Sequence, residues 1–391
     1  MYYTARFDEG KWKVMNLSDI RKDIDRIDSE MLRLIAERME CSKRVAEYKR
    51  ENGMAVFDAV REKQILDSLS DRAGEYGKAV RMIYSTIMEQ SKALQYPQVE
   101  NASVREFEPL TPHEKVKKIA CQGVAGAYSS LVGRELYPNA EITYCASFSD
   151  VCALVRDGKV EYGILPVENS WAGSVHEVYD LLINGRFLIA ECIDAHIKHN
   201  LIGTQDADIC DVKRVLSHPQ ALRQCADIIE QIGAEPTEST NTAVAVQTVG
   251  RLADKTVAAI GSAAAAKQYG LKILKPSIAT SDNNTTRFIS ISSFAQRGEN
   301  ADKISIVFSV DGARESGALL YIMERFASCD MSITKLESRP LKGSKFEYVF
   351  YIDLIGNLDN GKVAGVLATL ASELPDFVLL GNYHEGQTEL E

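Results

Sequence analysis

The sequence contains little that would build a disulfide framework, a metal centre or a membrane segment. Its 391 residues include 8 cysteines and 6 histidines. The cysteines occur singly, without a C-x-x-C motif or the spacing of a zinc site, so we expect reduced thiols and no metal. No run approaches the ~20 apolar residues of a membrane span, and residues 1–16 lack the apolar core of a signal peptide. These absences predict a cytoplasmic protein with no membrane partner.

The sequence also lacks an excess of positive charge. Its 45 Lys and Arg residues against 55 Asp and Glu residues give a net charge of −10, which argues against nucleic acid as the main partner. A chain of 391 residues is too long for one compact core, and a hydrophobic content of 45% can supply several. We therefore expect two or three globular domains.

The first segment, residues 16–96, has the periodicity of helices. Apolar residues recur every three or four positions at Ile20, Ile24, Ile27, Met31, Leu34, Cys41 and Val45. This pattern predicts a helix of more than about 30 residues, which needs a partner helix along its length. Two further helices are predicted at residues 58–69 and 77–94, giving an all-α, three-helix domain.

Two further domains follow in the predicted order of elements. Residues 97–115 contain three prolines and are predicted to form a linker. In residues 116–295, short apolar runs alternate with amphipathic stretches, which predicts a two-lobed α/β domain with mostly parallel strands. Residues 302–386 read as β-α-β-β-α-β, the ferredoxin-like order.

Two cations of the first helix occupy positions that an apolar residue would be expected to fill. Arg38 continues the apolar stripe, and Lys49 lies roughly 16 Å further along nearly the same face. Both side chains could converge on a small anion, although cations on helices more often extend into solvent. Asp58, Arg61 and Glu62 share a face of the second helix, where helix capping or surface pairing is the alternative explanation.

The charged and polar positions of the three helices resemble those of the all-helical chorismate mutase family. The matching residues are Arg21, Arg38, Lys49, Asp58, Arg61, Glu62, Ser91 and Gln95. The resemblance implies that Arg38 and Lys49 hold a carboxylate and the ether oxygen of chorismate. It also implies that Gln95 contacts the ether oxygen, and that Asp58 and Glu62 contact the ring hydroxyl side.

Arg21 carries an expectation about assembly. It lies about 25 Å along the helix from Arg38 and about 100° around it, so it cannot reach the Arg38–Lys49 pocket of its own chain. Either Arg21 serves a second pocket on a paired chain, which predicts a homodimer or a larger homo-oligomer, or it is an ordinary surface charge. The resemblance implies the dimer.

The second segment carries six short motifs in the order found in prephenate dehydratases. These are GVAGAYS (123–129), PVENS (166–170), SHPQ (217–220), ESTNTA (238–243), IGS (260–262) and TTRF (285–288). The resemblance implies a periplasmic-binding-protein-like fold and a catalytic role for Thr286. One departure is Gly123-Val124, where the family usually has Gly-Pro. The expected substrate-binding residues are Glu168, Asn169, Ser170, Ser217, His218, Gln220 and Thr286.

Glu168 is the expected proton source for the departing ring hydroxyl of prephenate, directly or through Asn169 or water. It directly follows an apolar strand, and desolvated carboxyls at strand ends can act as general acids. A helix-capping turn formed by residues 168–170 is an equally weighted alternative, and His218 is more often a structural hydrogen-bonding residue than a catalyst. On a strand, Thr286 and Arg287 point to opposite sides, so at most one of them faces a given cleft.

The third segment resembles the ACT regulatory domain attached to these dehydratases. The residues that carry the resemblance are Gly317, Ala318, Leu319, Glu337, Ser338, Arg339 and Pro340, and it implies L-phenylalanine binding between paired domains with feedback inhibition. The whole chain is therefore expected to be a bifunctional enzyme acting on chorismate and prephenate without a metal or cofactor. The alternatives are a ligand-binding regulator with an inactive α/β part and a chain in which only one catalytic half is active.

Overall fold

The computed structural model describes residues 17–98, 105–281, 283–310, 318–340, 348–374 and 376–390. The chain divides into two compact units, Met1–Ala102 and Ser103–Glu391. Among the described helices, none is both long enough and apolar enough to cross a membrane.

The first unit is helical. Its helices are α1 (Leu17–Glu51), α2 (Ala59–Arg72) and α3 (Gly77–Gln95). The 35 residues of α1 confirm the predicted long helix. Asp58 caps α2 by accepting a hydrogen bond from the Arg61 backbone N–H. Asp58 therefore has the helix-capping role that was the alternative explanation for this residue. Helices α1 and α2 both pack against α3.

The first half of α1 exposes its apolar stripe. Leu17, Ile20, Ile24, Ile27, Met31 and Leu34 are 41% to 61% exposed. Burial in α1 begins only beyond this stretch, at Ser42 and Ala46. Within the described part of this unit, the helical partner expected along the whole length of α1 covers only its second half.

The second unit begins with a two-lobed α/β region whose element bounds are as follows. Its strands are β1 (Glu108–Pro109), β2 (Lys118–Gln122), β3 (Glu141–Cys145), β4 (Tyr162–Asn169), β5 (Gly173–Ser174), β6 (Leu188–His196), β7 (Asn200–Gly203), β8 (Arg214–Ser217), β9 (Glu235–Glu238), β10 (Val257–Gly261), β11 (Lys272–Lys275), β12 (Thr285–Ser292) and β13 (Gln296–Arg297). Its helices are α4 (Tyr128–Leu136), α5 (Phe148–Arg156), α6 (His176–Gly185), α7 (Pro219–Gln224), α8 (Ala226–Gln231), α9 (Thr242–Leu252) and α10 (Ala263–Gln268).

The C-terminal region of the same unit has the predicted β-α-β-β-α-β order. Its elements are β14 (Lys303–Val310), α11 (Ala318–Ser328), β15 (Ile333–Pro340), β16 (Tyr348–Ile355), α12 (Gly361–Glu373) and β17 (Val378–Tyr383), followed by a further strand, β18 (Glu385–Glu389). The four strands β14 to β17 form an antiparallel sheet in the order β15-β16-β14-β17.

Each lobe of the α/β region is built on its own mixed sheet. The first sheet has the order β18-β6-β12-β4-β2-β3, with β5 on β4, and the second has the order β11-β7-β10-β8-β9. The prediction of mostly parallel strands is confirmed for strand direction: in the first sheet only β12 and the short β5 run against the other described strands, and in the second sheet only β7 does. The chain crosses between the lobes twice, from β6 to β7 and from β11 to β12.

Two segments depart from the predicted domain boundaries. In the predicted linker, β1 pairs with β13, so this part of residues 97–115 is attached to the α/β region. At the other end, β18 pairs in parallel with β6, so residue 386 lies inside a strand of the first lobe and does not end a separate domain.

The C-terminal sheet shares a hydrophobic core with the first lobe. Tyr351 and Leu380 of this sheet lie in one buried cluster with Ile189 of β6 and Tyr179 of α6. Strand β17 runs alongside β6 closely enough that a Cβ on Gly381 would lie 2.3 Å from the backbone oxygen of Ile189. The contact therefore requires glycine.

Replacement of Gly381 by alanine tests this contact. We expect Gly381→Ala to lower the free energy of unfolding by about 1–3 kcal/mol, because the backbone of β6 cannot yield without strain. Gly386→Ala is the matched control, since its Cβ would have no heavy atom nearer than 3.7 Å. Urea unfolding of both variants checks this, and equal stabilities would contradict the close packing of β17 on β6.

Candidate active sites

Arg38 joins α1 to α3 in the helical unit. Its guanidinium is half-buried and donates hydrogen bonds to Ser91 Oγ at 2.5 Å and to the Ile87 carbonyl at 3.4 Å. Burial lowers the pKa of Arg38 from its usual range. Among the described residues, no carboxylate forms an ion pair with it. The guanidinium is thus fixed at the helix contact with its charge uncompensated.

Lys49 is a second half-buried cation of α1. Its Nζ donates to the Val56 carbonyl at 2.5 Å. Burial lowers the pKa of Lys49, while the nearby carboxylates of Asp58 and Glu62 act in the opposite direction. An anionic ligand beside Lys49 would relieve the cost of desolvating its charge.

Gln95 is buried and has one free end. Its Nε2 donates to the Ser91 carbonyl at 3.0 Å, while Oε1 has no hydrogen-bond partner in the described structure. A buried amide that uses only one of its ends is suited to a polar ligand. Through Ser91, the structure brings Gln95 and Arg38 together.

Glu62 lies in an ion-pair network that the sequence analysis did not identify. Lys92, which is 3% exposed, contacts Glu62 at 3.0 Å and Glu89 at 2.7 Å. A lysine three positions after a glutamate near the end of α3 was the available signal. In contrast, Arg21 and Arg61 are exposed. Within the described residues, neither side chain forms a hydrogen bond or an ion pair with another predicted mutase residue.

A pocket of about 180 Å³ opens between the two lobes of the α/β region. Its lining comes from both lobes and includes parts of five of the six motifs. The lining residues are Gln122, Ala127, Tyr128, Ser129, Pro166, Asn169, Ile197, His199, His218, Gln220, Ala221, Gln224, Asn241, Thr242, Asn284, Thr286 and Phe288. We call it the interlobe pocket.

Asn169 connects the predicted residues of the interlobe pocket. Its Nδ2 donates to Thr286 Oγ1 at 2.9 Å and to Asn284 Oδ1 at 2.8 Å. Its Oδ1 accepts from Gln220 Nε2 of the other lobe at 2.8 Å. Asn169, Thr286 and Gln220 therefore form one hydrogen-bonded group that spans the lobes.

Two helices begin at the wall of the interlobe pocket. Tyr128 and Ser129 open α4, and Thr242 opens α9 behind its cap Asn241. Backbone N–H groups at helix N-termini favour anions. His218 caps α7 by accepting a hydrogen bond from the Gln220 N–H through Nδ1, so it has the structural hydrogen-bonding role named as its alternative. Burial lowers the pKa of His218.

His199 is a pocket residue that the sequence analysis missed. It is 3% exposed, and its ring nitrogens lie 3.2 Å from Tyr128 Oη and 3.0 Å from Gln224 Oε1. Burial lowers the pKa of His199 to about 4, so the ring is neutral at neutral pH. A polar pair, His199-Asn200, between two apolar strands was the available signal.

Glu168 does not line the interlobe pocket. Opposite β12, strand β4 has a bulge: Arg287 pairs with Glu168 and Phe288 with Pro166, so Val167 is extra. The bulge puts Asn169 on the side of Thr286 and Glu168 on the side of Arg287. The structure therefore does not place the Glu168 carboxylate beside Thr286, as direct proton donation would require.

The Glu168 side of the sheet has its own open groove of about 800 Å³. Glu168 and Arg287 line it together with Asp194 of β6. The Glu168 carboxylate contacts Lys335 Nζ at 2.6 Å and Arg287 at 3.7 Å. This carboxylate is therefore held by cations.

Two predicted serines also lie outside the interlobe pocket. Ser217 is fully buried and donates to the Ile260 carbonyl at 2.9 Å, which ties β8 to β10. Ser170 donates to the Asn283 carbonyl at 2.8 Å and lies beside the groove that contains Glu168. Both serines were expected to bind substrate, and both instead donate hydrogen bonds to backbone carbonyls.

Alternation along β15 divides the predicted effector motif between two faces. Glu337 accepts from Ser174 Oγ at 2.8 Å, and Arg339 donates to Asp180 at 3.0 Å, so both face the α/β region. Ser338 and Pro340 are exposed on the other face. The four residues therefore do not present their side chains to one pocket. Gly317 lies outside the described residues, Ala318 begins α11, and Leu319 is partly buried.

One group of side chains in the described structure has the spacing of metal ligands. It consists of Cys192, Asp194 and Glu385. Arg287 occupies this place, since it donates to both oxygens of Asp194 at 2.9 and 3.0 Å and contacts Glu385 at 2.5 Å. The guanidinium already supplies the positive charge that these carboxylates require.

Together, the fixed cations on a three-helix unit and the polar interlobe pocket are features of an enzyme with two candidate sites for anionic substrates. Residues 20–96 match the family model of chorismate mutase type II, and residues 119–296 match that of prephenate dehydratase. The chain belongs to the family of bifunctional chorismate mutase/prephenate dehydratases.

The similarity to known proteins extends over almost the whole chain. It is 31% identical over 371 residues to the bifunctional chorismate mutase/prephenate dehydratase of Aquifex aeolicus (strain VF5), covering 94% of this chain and 97% of that protein. It is 28% identical to the Escherichia coli (strain K12) protein of the same description, covering 93% and 95%. A crystal structure of prephenate dehydratase from Arthrobacter aurescens in complex with L-Phe aligns with a TM-score of 0.62 and 27% identity, covering 68% of this chain and 89% of that one.

The low pKa of His199 predicts a pH dependence of stability. An unfolded histidine has a pKa near 6.5, so between pH 6.5 and pH 4 the unfolded chain binds a proton that the folded chain does not. Stability contributed by neutral His199 is therefore present above pH 6.5 and lost on acidification, by about 2 kcal/mol between pH 7 and pH 5.

Urea unfolding of the wild type and His199→Gln at pH 5 and pH 7 measures this contribution. The wild type should lose about 2 kcal/mol more than the variant over this interval. Equal losses in the two proteins would show that His199 is not held neutral in the folded state.

Proposed function

We propose that the chain converts chorismate to prephenate in the helical unit and prephenate to phenylpyruvate in the interlobe pocket, and that L-phenylalanine inhibits it through the C-terminal sheet. The observation that carries the dehydratase assignment is the hydrogen-bonded group Asn169–Thr286–Gln220 between the lobes. The uncompensated, half-buried Arg38 carries the mutase assignment. No metal or cofactor takes part in the proposed reactions.

The mutase reaction needs placement of charge more than proton transfer. Chorismate rearranges within one molecule, so no acid, base or nucleophile is required. Arg38 would hold a substrate carboxylate, while Lys49 Nζ and the second N–H of Gln95 Nε2 would donate to the ether oxygen as negative charge develops there. Fixed positive groups stabilise that charge without reorganising, and they do so more in the transition state than in bound chorismate.

The proposed mutase pocket includes further residues around this centre. Asp58 and Glu62 would face the ring hydroxyl side, with Lys92 limiting the charge of Glu62 through their ion pair. Ser91 holds Arg38 in place. Arg61 remains a proposed binding residue at the exposed start of α2.

A second copy of the chain is proposed as the partner of the helical unit. The exposed apolar stripe of α1 is the supporting observation, because burial of such a stripe is favourable and a helix this long is stabilised by packing. Arg21 lies on this part of α1 and would then serve the partner's pocket. The smallest assembly consistent with this proposal is a homodimer.

The dehydratase reaction releases carbon dioxide and the ring hydroxyl of prephenate, and the ring becomes aromatic. Thr286 Oγ1 accepts a hydrogen bond from Asn169, which leaves the Thr286 O–H available to donate to the departing hydroxyl. Gln220 and His218 would contact the substrate from the second lobe. The N-termini of α4 and α9 would bind its carboxylates, since helix N-termini attract anions.

We propose the domain limits 16–96 for the mutase, 97–115 for the linker, 116–295 for the dehydratase and 302–386 for an ACT domain. The order β15-β16-β14-β17 with two helices supports a ferredoxin-like ACT domain. The exposed Ser338 and Pro340 are the proposed effector contacts, together with Gly317, Ala318 and Leu319. The free cysteines of the described structure fit a reducing cytoplasm.

Two single substitutions should separate the two activities. Arg38→Ala should lower mutase turnover at least about 100-fold, because it removes a fixed charge from the site, and should spare dehydratase turnover. Thr286→Ala should lower dehydratase turnover at least about 100-fold and spare the mutase. Assays that supply chorismate or prephenate and follow prephenate or phenylpyruvate, with and without L-phenylalanine, measure both steps.

Matched controls lie beside each residue. Arg33→Ala removes an exposed arginine of α1 that pairs with Glu30 and Glu37, and Thr285→Ala alters the neighbour of Thr286 that faces the groove. Both should retain the two activities. Loss of both activities in Arg38→Ala or in Thr286→Ala would contradict two independent sites, and a wild-type chain that forms neither product would favour a ligand-binding regulator.

A further inference from the structure

We propose that Glu168 is a positioning residue and that its ion pair with Lys335 is the contact through which the C-terminal sheet acts on the dehydratase pocket. The inference rests on the proposed function, since it concerns regulation of the same interlobe pocket. It replaces the expected role of Glu168 as a proton donor.

The two strands that carry the pocket residues are charged on their opposite face. Asn169 and Thr286 face the interlobe pocket, while their chain neighbours Glu168 and Arg287 face away from it. Each pocket residue is therefore one peptide unit from a charged group on the other face. A displacement of Glu168 moves the backbone of Asn169 with it.

Lys335 of β15 fixes this charged face. Its Nζ, on a side chain 13% exposed, donates to Glu168 Oε1 at 2.6 Å and to Ser174 Oγ at 2.7 Å. Ser174 is paired with Glu168 in the β4–β5 hairpin and donates in turn to Glu337 of β15. Both ends of this short network lie on β15, so the position of β15 sets the position of the Glu168 hairpin.

A second cation of the C-terminal sheet supports the neighbouring strand. Lys303 of β14 is 4% exposed in its side chain and contacts Glu385 at 2.5 Å. Glu385 contacts Arg287, the chain neighbour of Thr286. The two catalytic strands are thus each tied to the C-terminal sheet, β4 through Lys335 and β12 through Arg287, Glu385 and Lys303.

The position of Asn169 matters because it has bonds in both lobes. It donates to Thr286 of its own lobe and accepts from Gln220 of the other. Strand β15 also carries the exposed Ser338 and Pro340, which are proposed to contact the effector. Binding at these residues would shift β15, and Lys335 would transmit the shift to Glu168 and hence to the Asn169–Thr286 bond.

Removal of the charge on either partner tests the inference. In Lys335→Met and in Glu168→Gln, we expect dehydratase kcat to fall about tenfold, with KM for prephenate changed less than about twofold, since the change misplaces Asn169 without removing a substrate contact. Saturating L-phenylalanine should then inhibit the variants less than about twofold. Binding of L-phenylalanine, measured by equilibrium dialysis on the full chain, should persist.

Three controls distinguish a specific effect of the Glu168–Lys335 ion pair from a general effect of substitution. Lys335→Arg keeps the cation and should restore most of kcat and of the inhibition. Asp359→Asn removes another ion pair between the C-terminal sheet and the α/β region, the one with Arg297 at 2.6 Å, and should behave as the wild type. Mutase activity, measured in the same samples, should be unchanged in every variant and shows that the helical unit is folded, while retained L-phenylalanine binding reports on the second unit.

Several outcomes would overturn the inference. These are a Lys335→Met variant that matches Asp359→Asn, a Lys335→Arg variant as impaired as Lys335→Met, or loss of L-phenylalanine binding in Lys335→Met, which would place Lys335 in the effector site. Should Lys335→Met fail to fold, Glu168→Gln preserves side-chain shape and decides the question alone. A wild-type chain without dehydratase activity or without inhibition would overturn the proposed function first, and this inference with it.

Discussion

The pairing of β4 with β12 is the arrangement on which the dehydratase half of the molecule depends. On one side of this strand pair, Asn169 and Thr286 share a hydrogen bond between uncharged groups. On the other side, Glu168 and Arg287 are held by charges from β6 and from the C-terminal sheet. A polar pocket that must bind an anion thus contains few fixed charges of its own, because the carboxylates and their cations are kept behind the sheet.

The helical unit uses charge in the opposite way. Arg38 and Lys49 are half-buried at the helix contacts, and burial lowers the pKa of both. Keeping such cations partly desolvated costs free energy in the absence of an anion. A dianionic ligand bound beside both cations would offset that cost. Lys92, by contrast, is balanced by Glu62 and Glu89 and contributes shape and stability.

Periodicity and motif order were sufficient to predict much of the architecture. The apolar repeat predicted the length of α1, and the order of apolar runs predicted the β-α-β-β-α-β region. The alternation rule correctly separated Thr286 from Arg287. The same rule could not place Glu168, because a one-residue bulge at Val167 changes which side of β4 it faces. The reversed direction of β12 and β7 and the buried role of His199 depend on contacts between distant segments, which a single sequence does not display.

The return of β18 to the first lobe has a consequence for how the enzyme could be rearranged. Because β14 to β17 lie between two strands of one sheet, β12 and β18, the C-terminal sheet is an insertion in the dehydratase fold, fastened at both of its ends. The C-terminal sheet therefore cannot move as a rigid body about a single connection. Exchange of this module between enzymes therefore needs two junctions, and a graft made at one junction would leave an edge of β6 unpaired and open to aggregation.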